Sequence, residues 1–230
     1  MRQIPRSVMM FAAGFGTRMG ALTADCPKPL IQVCGVPLID HTLGLVRMVE
    51  PERIVANLHY LPEQLRTHLA DTDVRMSHET PDILDTGGGL RHALPLLGEG
   101  PVMTTNTDAI WSGPNPFEMA LDHWDPDKMD GLLVCVPRAQ TLGHAGKGDF
   151  HLSQTGQITR GLDVIYGGVQ ILKTEGLADI PDQSFSLNLL WDQMIRDKRL
   201  FGVSYPGKWC DVGNPDGLRL AESLLKESHV

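Results

Sequence analysis

The stretch that decides the fold is AAGFGTRMG, residues 12–20, which follows directly on the apolar run VMMF (8–11). An apolar run of strand length ending in a glycine-rich turn reads as a buried strand that delivers a phosphate-binding loop. The glycines fall at Gly14, Gly16 and Gly20, a wider spacing than the dinucleotide fingerprint G-x-G-x-x-G allows, and a Walker A loop would need G-x-x-x-x-G-K-[ST]. Thr17, Arg18 and Met19 fill the widened gap. Gly14 and Gly16 let a ligand approach the backbone and turn N–H groups toward an anion. Arg18 adds a planar, permanently charged fork for phosphate oxygens. Taken alone, the loop reads equally well as a glycine-rich turn carrying a surface arginine.

Working outward, strand-length apolar runs alternate with helix-length amphipathic stretches. Strands are expected at 8–13, 53–58, 73–79, 101–106 and 131–137, and helices at 37–50, 61–70, 86–97 and 115–124. In the first helix Leu38, Ile39, Leu43, Val46 and Val49 fall near one face, with Pro37 suited to its start. This alternation predicts an α/β, Rossmann-like, three-layer fold with a mostly parallel mixed sheet. In such sheets ligands bind beyond the carboxyl ends of the strands, where the loop, Glu79 and Asp108 all lie. The rest of the chain is less regular. Residues 138–160 are polar and glycine-rich with short strand pieces near Phe150 and Ile158. A strand at 166–172, a helix at 186–197, a strand at 200–205 and a last helix from about Pro215 follow. No repeat, low-complexity tract or linker interrupts the sequence, so residues 1–230 are expected to form a single domain of two halves, about 1–137 and 138–230.

Composition removes several classes. A net charge of -8 argues against a broad basic surface for nucleic acid. Cys26, Cys34, Cys135 and Cys210 form no C-x-x-C pair, which indicates free thiols in a reducing cytoplasm rather than zinc or disulfides. The first apolar run is too short to span a membrane and leads straight into the glycine loop, so it reads as a strand and not as a leader. The histidines show no H-E-x-x-H spacing, no G-x-S-x-G elbow occurs, and the scattered tryptophans read as packing.

Three further residues could carry chemistry. Lys28 stands between Pro27 and Pro29, on stiff extended backbone that positions its charge. Asp108 ends the fourth strand, in TTNTD, and Asp211 follows a later strand, in WCDVGNP. Two carboxylates meeting at strand ends make a seat for Mg²⁺, which favours one or two carboxylates plus phosphate oxygens and water. Lys147, in HAGKGDF, reads as a solvated loop charge.

Read together, AAGFGTRM and PKPLIQVCGVPLI (residues 12–39) resemble the N-terminal signature of the nucleoside-diphosphate-sugar pyrophosphorylases, with glycines, Arg18, Lys28 and both prolines in register. LDTGGGLRHALPLL, GHAGKGDF and WCDVGNPDGLRLAESLL are similar to the shorter members that lack a C-terminal β-helix, the N-acetylmuramate-1-phosphate uridylyltransferases among them. The sequence departs from the family pattern at Ala21, where proline is usual, at Asp85 for glutamate, and at Thr107, where glycine is common and a larger residue is expected to narrow the space beside the metal.

The resemblance implies a GT-A-type nucleotidyltransferase fold and nucleotidyl transfer. A sugar 1-phosphate attacks the α-phosphorus of a nucleoside triphosphate and pyrophosphate leaves. It implies that Arg18, Lys28 and Asp108 are catalytic and that Asp108 and Asp211 hold Mg²⁺. Ala12, Ala13, Gly14, Gly16, Thr17, Glu79, Gly87 and Gly88 would bind the nucleotide in the first half. Gly148, Asp149, Gly167 and Asn188 would bind the sugar in the second. UTP and N-acetylmuramate 1-phosphate are the implied substrates, with the product feeding cell-wall recycling; neither nucleic acid nor membrane is an expected partner, and the chain is expected to be a monomer or small homo-oligomer. A mannose- or heptose-1-phosphate guanylyltransferase using GTP, or a non-catalytic nucleotide-sugar-sensing domain, is the alternative.

Overall fold

The computed structural model describes residues 3–228. In chain order the first half contains β1 (Ser7–Phe11), the short hairpin β2 (Gln32–Val33) and β3 (Val36–Pro37), α1 (Leu38–Arg47), β4 (Arg53–Leu58), α2 (Pro62–Leu69), β5 (Val74–His78), α3 (Asp85–Leu97), β6 (Val102–Asn106), β7 (Ala109–Ser112), α4 (Pro116–His123) and β8 (Gly131–Pro137). The second contains β9 (Thr141–Leu142), β10 (Phe150–Leu152), β11 (Ile158–Arg160), β12 (Val164–Leu172), α5 (Asn188–Arg196), β13 (Leu200–Ser204), β14 (Lys208–Asp211) and α6 (Pro215–Ser228).

Local chemistry accounts for these elements. Helix α1 buries Leu38, Ile39, Leu43 and Val46 and carries Asp40 in its first turn and Arg47 in its last, the polarity its dipole favours. Helix α4 opens on Asn115, whose side chain accepts the Phe117 N–H at 2.9 Å, with Pro116 in the first turn, a strong start signal. In β1, side chains alternate across the sheet. Val8 and Met10 join the core that also contains Ile39, Val46 and Phe117, whereas Met9 packs in the opposite core with Leu90, Leu97 and Trp191. One sheet with helices on both faces is the result.

The main sheet runs β11-β10-β12-β6-β1-β4-β5, with β8 beside β12 and β13 beside β8. Strands β6, β1, β4 and β5 are mutually parallel, the part that alternation with helices made legible. Strand β12 enters antiparallel to both β6 and β8. The reason is that no crossover helix separates β8 from β12, and a chain without one returns antiparallel.

Strand β7 was not signalled by the sequence. It pairs antiparallel with β14, in register Ala109 with Asp211, in a small sheet completed by β9. Met19, Ile31, Val33, Ile110, Cys210 and Leu224 form a third core that seats the glycine-loop segment against this sheet and α6. Among the described residues no helix is long and apolar enough to cross a membrane.

Candidate active site

The register of the parallel strands brings the polar residues to one edge. Phe11 lies level with Asn106 and Leu58 with His78, so Ala12–Gly14, Asn57, Glu79 and Asn106–Asp108 rim the carboxyl ends of four adjacent strands. They wall a cleft of ≈ 250 Å³, with Lys28, Pro29 and the Ile83–Thr86 region on its sides. A second cleft of ≈ 290 Å³ shares Phe11, Asp85, Thr86 and Asn106 with the first and extends to Asp149, Tyr166, Asn188 and Trp191. The two clefts therefore share one wall, made by Phe11, Asp85, Thr86 and Asn106, while Asp108, two residues beyond Asn106, lines the first cleft alone.

Charge is concentrated around Asp108. Lys28 is 9 % exposed, and its Nζ donates to Asp108 Oδ2 at 2.5 Å. The pairing of β7 with β14 holds Asp211 opposite Ala109, and the Val212 N–H donates to the Asp108 carbonyl at 2.9 Å, so the segments bearing the two aspartates run side by side. Burial pushes the Asp211 carboxyl above the ordinary carboxylate range, and the Asp108 charge pushes it the same way; Lys28, the His144 hydrogen bond and Arg18 pull it back without reversing the shift. His144 Nδ1 lies 3.3 Å from Asp211 Oδ2. A Cβ at Gly213 would lie 2.9 Å from Asp211 Oδ1 and 3.1 Å from Arg18 Nη1, so the bare glycine leaves room for the guanidinium to approach that carboxylate.

The remaining expected residues divide into two groups. Ala12, Ala13, Gly14, Lys28, Glu79 and Asp108 wall the first cleft, and Asp149 and Asn188 wall the second. At Gly14 a Cβ would meet nothing within 4 Å, whereas Gly16 has φ +66° and packs on Thr23 and Lys28. Thr17 and Arg18 are exposed on the short 3₁₀ segment that follows. Gly87, Gly88, Gly148 and Gly167 do not wall either cleft. Cβ atoms there would strike Phe185, the Gln183 carbonyl, the Leu162 backbone and Trp111 respectively, so these glycines are sites of close packing.

Glu79 reaches the cleft wall, but its carboxylate is already engaged: Oε1 accepts from Asn57 Nδ2 at 2.6 Å and Oε2 from the Leu84 N–H at 2.8 Å. Thr107, expected to narrow the space beside a metal, donates its hydroxyl to the Phe11 carbonyl at 2.8 Å and ties β6 to β1. Lys147 is exposed.

Sequence reasoning missed Asn57, His144, Arg160 and Gln170. Asn57 had a signal: a polar residue near the end of the apolar run RIVANL. It is 3 % exposed, and its Oδ1 accepts the Ala12 N–H at 2.7 Å, bracing the start of the glycine loop against β4.

As to a metal, among the described residues no three His, Cys, Asp or Glu side chains gather into a cluster. Asp108 and Asp211 offer two hard carboxylates near the glycine-rich loop, a donor set that suits Mg²⁺ completed by phosphate and water.

Comparison with known proteins places the chain. Residues 8–151 match the family described as MobA-like NTP transferase domain. The chain belongs to that family. This MobA-like transferase is 39 % identical to N-acetylmuramate alpha-1-phosphate uridylyltransferase of Caulobacter vibrioides, over 99 % of the chain and 100 % of that protein. It is 30 % identical to the protein of the same name in Neisseria meningitidis, over 94 % and 96 %. Mannose-1-phosphate guanyltransferase of Hypocrea jecorina is 27 % identical, over 90 % of the chain and 60 % of that protein. The crystal structure of HddC from Yersinia pseudotuberculosis complexed with GMP-PN superposes with a TM-score of 0.77 at 18 % identity, over 96 % of this chain and 99 % of that one, which shows the shared fold. As a member of this family, the MobA-like transferase is a nucleotidyltransferase.

Proposed function

We propose that this nucleotidyltransferase moves a uridylyl group from UTP to a sugar 1-phosphate, N-acetylmuramate 1-phosphate, releasing pyrophosphate. The observation that carries the reading is the charge cluster at the first cleft, where the Lys28–Asp108 pair lies in the electrostatic reach of Asp211, which Arg18 also reaches. Names borne by relatives that align with nearly the whole chain support the choice of substrates.

A phosphate oxygen of the sugar phosphate forms a bond to the α-phosphorus of UTP as the bond to pyrophosphate breaks. The protein has to align the two phosphates and neutralise charge, not to form a covalent bond of its own. Backbone N–H groups of the glycine loop and the Arg18 fork hold the triphosphate oxygens. Lys28, anchored by Asp108, places a cation where the attacked phosphate and the incoming phosphate meet. Asp108 and Asp211 would hold Mg²⁺, which when bound supplies further neutralisation of the phosphate oxygens. Ala12, Ala13 and Gly14 line the nucleoside cleft, and Asp149 and Asn188 line the sugar cleft. The free thiols fit a reducing cytoplasm.

The test is pyrophosphate release from UTP or GTP with N-acetylmuramate 1-phosphate or mannose 1-phosphate. Turnover is expected with UTP and N-acetylmuramate 1-phosphate, and its loss in EDTA and in Asp108→Ala. Turnover with GTP and mannose 1-phosphate instead would favour guanylyl transfer, none with any pair a binding domain, and full activity in EDTA would remove the metal.

A further inference from the structure

The second cleft reaches a cation. Among the described residues that wall it, Arg160 alone is basic, while Asp85 and Asp149 are acidic. Arg160 ends β11, and its guanidinium lies over the Phe150 ring at 5.0 Å and the Trp191 ring at 5.7 Å from the centroids. Tyr166 packs edge-on to Trp191 at 4.9 Å. An aromatic bed of this kind holds the planar fork in place.

One edge of the fork is occupied. Nε donates to Asp192 Oδ1 at 2.9 Å and Nη2 to the same oxygen at 2.8 Å and to the Asn188 carbonyl at 3.3 Å. Among the described residues no hydrogen bond from Nη1 is recorded. The Asp192 partner is half exposed (40 % and 50 % for the two side chains), and a pair that open contributes little stability, so a second anion can share the guanidinium. The cleft's two acids are partly committed elsewhere, Asp149 Oδ2 to the Tyr166 N–H and Asp85 Oδ1 to the Thr86 N–H.

Sugar hydroxyls need only amide, hydroxyl and carboxylate partners, and Gln170, Ser186 and Asn188 already stand in this cleft. A fixed guanidinium adds something different: two parallel donors matched to a planar carboxylate. The anomeric phosphate would enter from the first cleft, which holds Lys28 and Asp108, across the shared wall of Phe11, Asp85, Thr86 and Asn106, whereas Arg160 lines the second cleft alone and is left to face another part of the sugar.

We infer that Arg160 is a specificity-determining residue that selects a sugar 1-phosphate bearing a carboxylate substituent. The inference rests on the sugar 1-phosphate reading above. It is isolated by one pair of substrates, because N-acetylmuramate differs from N-acetylglucosamine by a lactyl ether ending in a carboxylate.

The experiment measures kcat/KM with UTP for N-acetylmuramate 1-phosphate and N-acetylglucosamine 1-phosphate in the wild type, Arg160→Gln and Arg160→Lys. In Arg160→Gln the value for N-acetylmuramate 1-phosphate is expected to fall about 30- to 100-fold, mainly through KM, from loss of a charge-assisted pair. The value for N-acetylglucosamine 1-phosphate should stay level or rise, and Arg160→Lys, which keeps a cation if the glutamine variant folds poorly, should recover part of the preference. Equal losses on both sugars would mean that Arg160 only braces Phe150 and Trp191, and an unchanged preference would overturn the inference while the wild-type turnover leaves the proposed function standing. A wild type that transfers to neither sugar would bring down the proposed function and this inference with it.

Discussion

Lys28 and Asp108 are the pair on which both stability and chemistry are expected to turn. Their side chains are 11 % and 30 % exposed, and the Nζ–Oδ2 contact is 2.5 Å. Removing one member of a fully buried pair costs about 3–5 kcal/mol. Here the exposed part of Asp108 can hydrate, which lowers the expectation for Lys28→Met to about 2 kcal/mol. For a chain of this length that is a fall in melting temperature of about 4–8 °C. Methionine keeps the stem that packs against Gly16, so the loss is that of the charge. Asp108→Asn leaves Lys28 without its anion but relieves the pressure on Asp211, and should cost about 1 kcal/mol. The double variant should recover about 1–2 kcal/mol relative to the sum of the singles, the coupling expected of groups in contact. Thermal melts of the four proteins at pH 7 measure this cycle. Pyrophosphate release well below the melts should show each single variant reduced about 100- to 1,000-fold, the loss typical of one oriented charge at a reacting group. If Lys28→Met melts at or above the wild type and the two substitutions simply add, the ion pair is not a functional unit and the electrostatic reasoning fails.

Other expectations follow from the same geometry. The folded Asp211 carboxyl is raised by burial and by Asp108, so its contribution to stability is present below the unfolded value, about 3.9, and is lost as pH rises through the folded one. Asp211→Asn should therefore melt a few degrees higher than the wild type at pH 7 and converge with it toward pH 4, while losing about 1,000-fold in turnover; a lower melt at pH 7 would contradict this. Asp130 behaves in the opposite way. Burial raises its carboxyl, but the bonds from Arg199 and Lys173 outweigh it and the net shift is downward, so its stabilisation is present above the unfolded value and lost as pH falls through the folded one. Asp130→Asn should cost about 1–2 kcal/mol at pH 7, with the gap to the wild type closing in urea titrations below about pH 4. Gly88→Ala would push a Cβ to 2.4 Å from the Gln183 carbonyl and should cost about 2 kcal/mol by overpacking; an unchanged urea midpoint would show that the segment yields.

Local signals in the chain determined a large part of this protein. Runs of apolar residues at strand length, helical stripes such as Leu38–Val46, and the glycine loop placed β1, α1 and the parallel half of the sheet, because each signal is complete within a few neighbouring residues. The loop motif with Pro27-Lys28-Pro29 also pointed to residues that wall the first cleft, Gly14, Lys28 and Pro29. What the tertiary structure decided is everything that depends on register between distant segments. Asp108 and Asp211 meet because β7 pairs with β14, yet AIWS (109–112) is too short to announce a strand. Likewise Gly14 faces open space while Gly87 and Gly88 are pressed against Phe185 and Gln183, a distinction invisible in the sequence, because a glycine's role is set by what its missing Cβ would have met. Arg160 carries no motif at all, and Asn57 and His144 sit in stretches, RIVANL and GHAGKGDF, that do not say which side chain matters; only the fold shows what each one touches, because the role of a lone polar side chain is set by the neighbours that close around it.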